Sequence, residues 1–116
     1  MEIRAEKYNI VYDPDNAVVL CNGALLLNGT KEYEPILQLL NTAASGQKEN
    51  LTIDLCNLKF LNSSGINMVT RFIINVFDVE ALEIDLIIKG QKKVAWQEKL
   101  LKNLQRLAPN LNVQLD

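Results

Sequence analysis

Asn62, Ser63, Ser64 and Gly65 follow directly on the apolar run LTIDLCNLKFL, residues 51–61. Two hydroxyls beside a glycine, where a strand passes into a helix, allow capping of the helix, acceptance of a phosphoryl group, or nucleophilic attack. The last of these needs a base within hydrogen-bond reach. The chain contains no histidine, which excludes a Ser-His-Asp triad, a Cys-His pair and a histidine phosphorelay within it. Asp54, the nearest acid in sequence, sits inside a strand pattern, so neither Ser64 nor Cys56 gains an activating partner. A zinc site would have to combine Cys21 and Cys56 with carboxylates at unsuitable spacing. The expectation is a protein that is not an enzyme, with no cofactor and no metal.

With Asn62 as N-cap, Ser63 and Ser64 fall in the first helical turn, beside backbone N–H groups that have no partner within the helix. Gly65 has no side chain and so leaves room for another molecule to approach. These short polar residues suit a helix start for local reasons alone. They also suit a phosphorylation switch. A phosphoserine brings about −1.5 to −2 charges, which the positive end of a helix accommodates. The domain would stay folded while a docked partner met a new dianion. Spacing does not choose between Ser63 and Ser64.

The helix that follows carries a narrow polar stripe of Asn67, Arg71 and Asn75. Ile66, Val69, Ile73, Val76 and Phe77 form its expected buried side, and Met68, Phe72 and Ile74 widen the apolar arc. One buried face needs an arc only somewhat over ~100°. The surplus fits either deeper core packing or a partner surface. Met68 and Phe72, which flank the stripe, are the interface candidates, since a pliable thioether and a large aromatic both suit binding surfaces. Arg71 and Lys59 flank the serines and read as solvated charges.

These residues must be positioned by the elements around them. Alternation of Tyr8, Ile10 and Tyr12 predicts a strand near 7–13, and DPDN (13–16) is turn chemistry leading to a second strand near 17–26. Thr30 is a candidate cap for a helix ending at Gly46, and Pro35 places its regular start nearer Glu34. Leu51, Ile53 and Leu55 alternate with Thr52, Asp54 and Cys56, as in a strand covered on one face. A helix spans about 63–77, and a strand runs through Ile84, Leu86 and Ile88. A last helix carries Trp96, Leu100, Leu104 and Leu107 on one side, and NVQLD (112–116) is a short edge strand. The order β-β-α-β-α-β-α-β predicts an α/β domain with right-handed crossovers.

At 116 residues and 48 % hydrophobic, the chain is long and apolar enough to form one domain with a real core. A formal charge of −2 with no basic block argues against nucleic acid. No stretch reads as a membrane span and the charged N-terminus lacks a signal core. Two cysteines in apolar runs predict reduced thiols in the cytoplasm.

The stretch LTIDLCNLKFLNSSGINMV resembles the central segment of STAS domains, the fold of bacterial anti-sigma factor antagonists and of sulfate-transporter tails. The element order is similar over nearly the whole chain. The resemblance implies a STAS fold for residues 1–116, a small mixed β-sheet with an N-terminal antiparallel hairpin and βα crossover units. It implies a partner-switching protein that binds an anti-sigma factor, usually a GHKL-type serine kinase, and releases it when a serine is phosphorylated. A PP2C-type phosphatase reverses the mark. The family's acceptor directly precedes the glycine, which makes it Ser64, with Ser63 as the fallback. Taken with the reading of the helix, the expected partner surface is Ser63, Ser64, Asn67, Met68, Arg71 and Phe72. The partner could instead be another signalling enzyme such as a nucleotide cyclase, or the domain could serve assembly without phosphorylation. Two features depart from the family. Asn62 stands where it has Asp, which removes a carboxylate that would repel a nearby phosphate. GALLLNG (23–29) stays apolar where polar residues are usual. Both point to a divergent branch.

Overall fold

Alternating side chains pair the first 25 residues of the chain into antiparallel strands. A computed structural model describes residues 1–116. In it β1 (Glu2–Arg4) lies against β2 (Tyr8–Asp13), and β2 against β3 (Val18–Leu25), with Ile10 opposite Cys21. The DPDN turn closes as its composition predicts: the Asn16 side chain donates to Asp13 Oδ2 at 2.7 Å. β1 is new, because three residues carry no readable period.

From β3 onward the helices form crossovers, and only β4 and β5 are joined by a short bend. α1 (Gly29–Gly46) leads to β4 (Asn50–Asp54) and β5 (Leu58–Leu61), and α2 (Ser63–Ile74) leads through a π-helical turn (Asn75–Val79) to β6 (Asp85–Gly90). α3 (Ala95–Leu107) then leads to β7 (Asn112–Leu115). The sheet order is β1-β2-β3-β4-β6-β7, with β5 also parallel to β3 beyond the end of β4. All crossovers step the same way along the sheet, so right-handedness puts the three helices on one face. Burial alternates accordingly. Leu51, Ile53, Leu86 and Ile88 are buried under the helices, while Thr52, Asp54, Ile87 and Lys89 lie half-exposed on the open face. One apolar cluster joins sheet and helices.

Two expected boundaries change. The helix runs from Gly29 straight through Pro35, at the loss of one backbone bond. Thr30 does not cap it: Asn28 is the cap residue, and the Glu32 carboxylate reaches back to the Asn28 N–H at 3.0 Å. The single strand expected over 51–61 is two, broken at Leu55–Asn57. Gln97 explains the break. Its side chain is fully buried, its Nε2 donates to the Leu55 and Leu58 carbonyls at 2.8 and 3.0 Å, and its Oε1 accepts from Gln91 N–H at 2.7 Å. α3 thus satisfies the polar groups that the bend frees.

Candidate functional site

The serine turn starts where β5 hands over to α2. Asn62 is the N-cap, in extended conformation, and its Oδ1 accepts the Gly65 N–H at 3.0 Å. Its Nδ2 donates to the Leu27 carbonyl at 2.7 Å. The Tyr33 hydroxyl lies 2.7 Å from Asn62 Oδ1 and 3.0 Å from the Leu25 carbonyl, and its one proton serves one of these acceptors. Burial pushes the Tyr33 phenol up. Asn62 therefore faces a backbone donor on one side and a backbone acceptor on the other, which an amide satisfies and an ionised carboxylate does not. This chain's own loop favours the amide at position 62: an ionised carboxylate would set oxygen against the Leu27 carbonyl.

Gly65 is buried, which corrects the expectation that it leaves space for a partner. A Cβ there would lie 2.3 Å from Leu61 Cδ1 and 2.8 Å from the Tyr33 hydroxyl. Its missing side chain is occupied from within.

The two serines, equivalent in the sequence, differ in space. Ser63 is exposed. Ser64 is half-buried, and its Oγ accepts the Gly29 N–H at 3.2 Å. Gly29 begins α1, so Ser64 bridges the N-terminal ends of two helices. Both ends carry partial positive charge and first-turn N–H groups. Gly29 has a φ of +71° and nothing within 4 Å of where a Cβ would stand, so the approach to this junction is open.

Met68 and Phe72 are core, not surface: they are 3 % and 1 % exposed and pack against Leu25, Ile36 and Leu40. The physical reason is the position of α1, which lies along that side of α2. The polar stripe follows this seam. Arg71 reaches Glu34 of α1 at 3.9 Å, and Asn75 Nδ2 donates to Asn41 at 3.1 Å. Asn67 remains exposed. The apolar side chains that α2 leaves in solvent are Ile66, on its other flank, and Ile74, on the outer crest between the α1 and α3 sides, each 38 % exposed. Ile66 and Phe77, expected in the core, lie at its margin. Near the turn, Leu26 and Phe60 stand out, 53 % and 59 % exposed.

Nucleophilic chemistry gains no support. Burial, reinforced by Asp54, pushes the Cys56 thiol up to about 11, and burial pushes Cys21 up to about 12. A thiol at those values is protonated at neutral pH and a poor nucleophile. The Ser64 hydroxyl meets a backbone N–H, not a base. Tyr33 and Gly29 were missed as members of this site, because their partners lie 29 and 35 residues away. Tyr33 falls on the buried apolar stripe of α1, where helical spacing shows packing and not its hydroxyl's partner.

The strand order, the N-terminal hairpin and the capped serine turn define a STAS-like α/β domain. No family model and no curated protein matches the sequence. Solved structures do. A chain of the crystal structure of the diguanylate cyclase SiaD in complex with its activator SiaC, from Pseudomonas aeruginosa, is similar with a TM-score of 0.74 at 12 % identity. That match covers 99 % of this chain and 97 % of the other. SiaC of Pseudomonas aeruginosa matches at TM-score 0.68 and 14 % identity, over 100 % of this chain and 96 % of that one. Apo-SiaC matches at 0.68 and 8 %, over 100 % and 98 %. No helix is long and apolar enough to cross a membrane.

Proposed function

We propose that this protein is a non-enzymatic regulator that binds a signalling enzyme of the nucleotide-cyclase class, and that phosphorylation of the serine turn switches the binding. The observation that carries this reading is the end-to-end likeness to SiaC, an activator seen in complex with a diguanylate cyclase. That likeness puts a cyclase ahead of the anti-sigma factor as partner. A serine kinase, GHKL-type by the STAS resemblance, would write the mark, and a PP2C-type phosphatase would remove it.

The geometry supports Ser64 as acceptor. A phosphoryl group on its Oγ would sit at the junction of two helix N-termini, each worth about 0.3–1 kcal/mol to an anion. Glu32, which already occupies the Asn28 N–H, opposes it as a like charge. Two dipoles and free first-turn amides outweigh one exposed carboxylate, so the domain keeps its fold while its surface changes sign. Ser63, Asn67 and Arg71 on α2, with Leu26 and Phe60 beside the turn, make up the surface a partner would read.

The test starts with protein purified from its native host. The tryptic peptide FLNSSGINMVTR (60–71) is fragmented with and without phosphatase. Tagged Ser64→Ala and Ser64→Asp forms are then compared for the partners they retain and for their effect on cyclase turnover. Expected are a phosphate on Ser64 and a cyclase retained and stimulated by Ser64→Ala but not by Ser64→Asp. Identical partners and identical turnover with both forms would overturn the reading.

A further inference from the structure

Between α2 and α3 runs a trough that no part of the chain fills. At one end Leu61, Ile66, Thr70, Trp96 and Leu104 border a cavity of about 310 Å³. At the other, Ile74, Phe77 and Pro109 border one of about 100 Å³. Leu107, 51 % exposed, borders both, so the two lie in succession along the α2–α3 side. From Ile66 to Phe77 the α2 wall is about 16 Å long at 1.5 Å per residue, which matches about three turns of a helix laid alongside.

The trough also has a sign. Between residues 92 and 106 the chain carries Lys92, Lys93, Lys99, Lys102 and Arg106 against the single acid Glu98. Glu98 pairs with Lys102 at 3.6 Å. Lys99 and Arg106, seven residues apart on one line of α3 with Asn103 between them, are exposed and make no ion pair. Across from them residues 63–77 contain no carboxylate, and the one acid that borders either cavity is Asp78, at the smaller one.

We infer that this trough docks an amphipathic helix of a partner protein, its apolar ridge between α2 and α3 and its acidic flank against Lys99 and Arg106. Ridge-into-groove packing needs such a concave apolar strip. A flat lipid surface would leave the floor at Leu61 and Leu104 unreached. The inference rests on the partner-binding role proposed above and adds a second surface, away from Ser64, together with its ligand.

The probe is a fluorescein-labelled stapled helix with leucines on one face and glutamates on the flank, titrated by anisotropy. A twin with lysine flanks and vesicles of phosphatidylglycerol are the comparisons. In about 0.05 M salt, where the screening length exceeds 10 Å, the glutamate probe should bind about tenfold more tightly than its lysine twin. Leu107→Glu should weaken it about tenfold, and Lys99→Glu with Arg106→Glu should reverse the preference. These side chains are exposed, and thermal melts confirm that the variants fold. Amide shifts on binding should centre on Ile66, Thr70 and Asn103. Equal binding of both probes, no binding, shifts elsewhere, or preference for vesicles would each overturn the inference. So would self-association that buries the trough against a second copy. Ser64→Asp leaves probe binding unchanged. Loss of the Ser64 switch with intact probe binding sinks the proposed function alone, and the converse sinks the trough alone.

Discussion

Replacing Asn62 by Asp tests the account of the serine turn most directly, because the substitution changes the one amide nitrogen on which that account rests. The Gly65 N–H and the Tyr33 hydroxyl, at 3.0 and 2.7 Å from Oδ1, serve a carboxylate as well as an amide. Charge at a helix N-terminus adds about 0.3–1 kcal/mol in its favour. Against this, Nδ2 gives way to an oxygen 2.7 Å from the Leu27 carbonyl. That carbonyl loses its donor and meets a like partial charge, at about 1–3 kcal/mol for the unmet group. The penalty wins by about 1–2 kcal/mol. With unfolding entropy near 2.1 cal/mol/K per residue, about 0.24 kcal/mol/K for the 116 residues, the variant should melt about 4–8 °C lower at pH 7. The pH dependence has a definite sign. The repulsion raises the folded carboxyl above its unfolded value of about 4. The loss is therefore full above the folded pKa and fades as pH falls towards the unfolded one, where the protonated acid donates to Leu27 as the amide did. Thermal melts followed by circular dichroism between pH 4 and 7 measure both effects. An Asn62→Asp protein that melts at or above the wild-type temperature at neutral pH refutes the assignment of the amide.

Three further perturbations follow from the same contacts. Gly65→Ala drives a methyl to 2.3 Å from Leu61 and 2.8 Å from Tyr33; the expected loss is about 1–3 kcal/mol in urea denaturation, and an unchanged midpoint contradicts the packing. Gln97→Leu keeps the volume but strands the Leu55 and Leu58 carbonyls and the Gln91 N–H; it should cost about 3–5 kcal/mol, among the largest single effects in the domain. Cys56, with its pKa pushed to about 11, should react slowly with iodoacetamide at pH 7.5 and accelerate only near pH 11, whereas Cys21 labels only on unfolding. Asp54→Asn removes the charge that holds the Cys56 thiolate back, so it should speed labelling at a fixed alkaline pH; fast neutral labelling of the wild type counts against the burial described.

What was legible in the sequence was local. The hairpin could be read because Tyr8, Ile10 and Tyr12 alternate and Asp13 bonds Asn16 three residues on. The cap of α2 could be read because Asn62 closes on Gly65. The break between β4 and β5 could not, since the groups that satisfy it come from Gln97 and Gln91, more than thirty residues away in a helix and its approach. Nor does a helical wheel say on which side a neighbouring helix lies. It placed Met68 and Phe72 at the edge of the apolar arc of α2, and α1 covers that edge. Ile66, on the opposite edge, and Ile74, on the outer crest, are the exposed ones. The π-helical turn, where Glu80 N–H bonds the Asn75 carbonyl at 2.8 Å, shifts the last residues out of the 3.6-residue period.

The asymmetry of the two serines follows from that placement. Ser64 faces α1 and is tied to Gly29, so the Leu26–Asn28 loop is held to the first turn of α2 at Ser64–Gly29 and again at Asn62–Leu27. Ser63 stands one turn ahead of Ile66 on the opposite flank, at the head of the wall that lines the α2–α3 trough. In the proposed role, charge added at Ser64 alters the surface around Leu26 and the start of α1. The same charge at Ser63 would stand at the mouth of a trough whose rim attracts acidic partners, and would repel the occupant that Lys99 and Arg106 draw in. One short turn thus borders both surfaces, and the effect of a phosphate depends on which of two adjacent hydroxyls carries it. Comparing Ser63→Glu with Ser64→Asp against the acidic helical probe separates them: the first should weaken binding and the second leave it untouched.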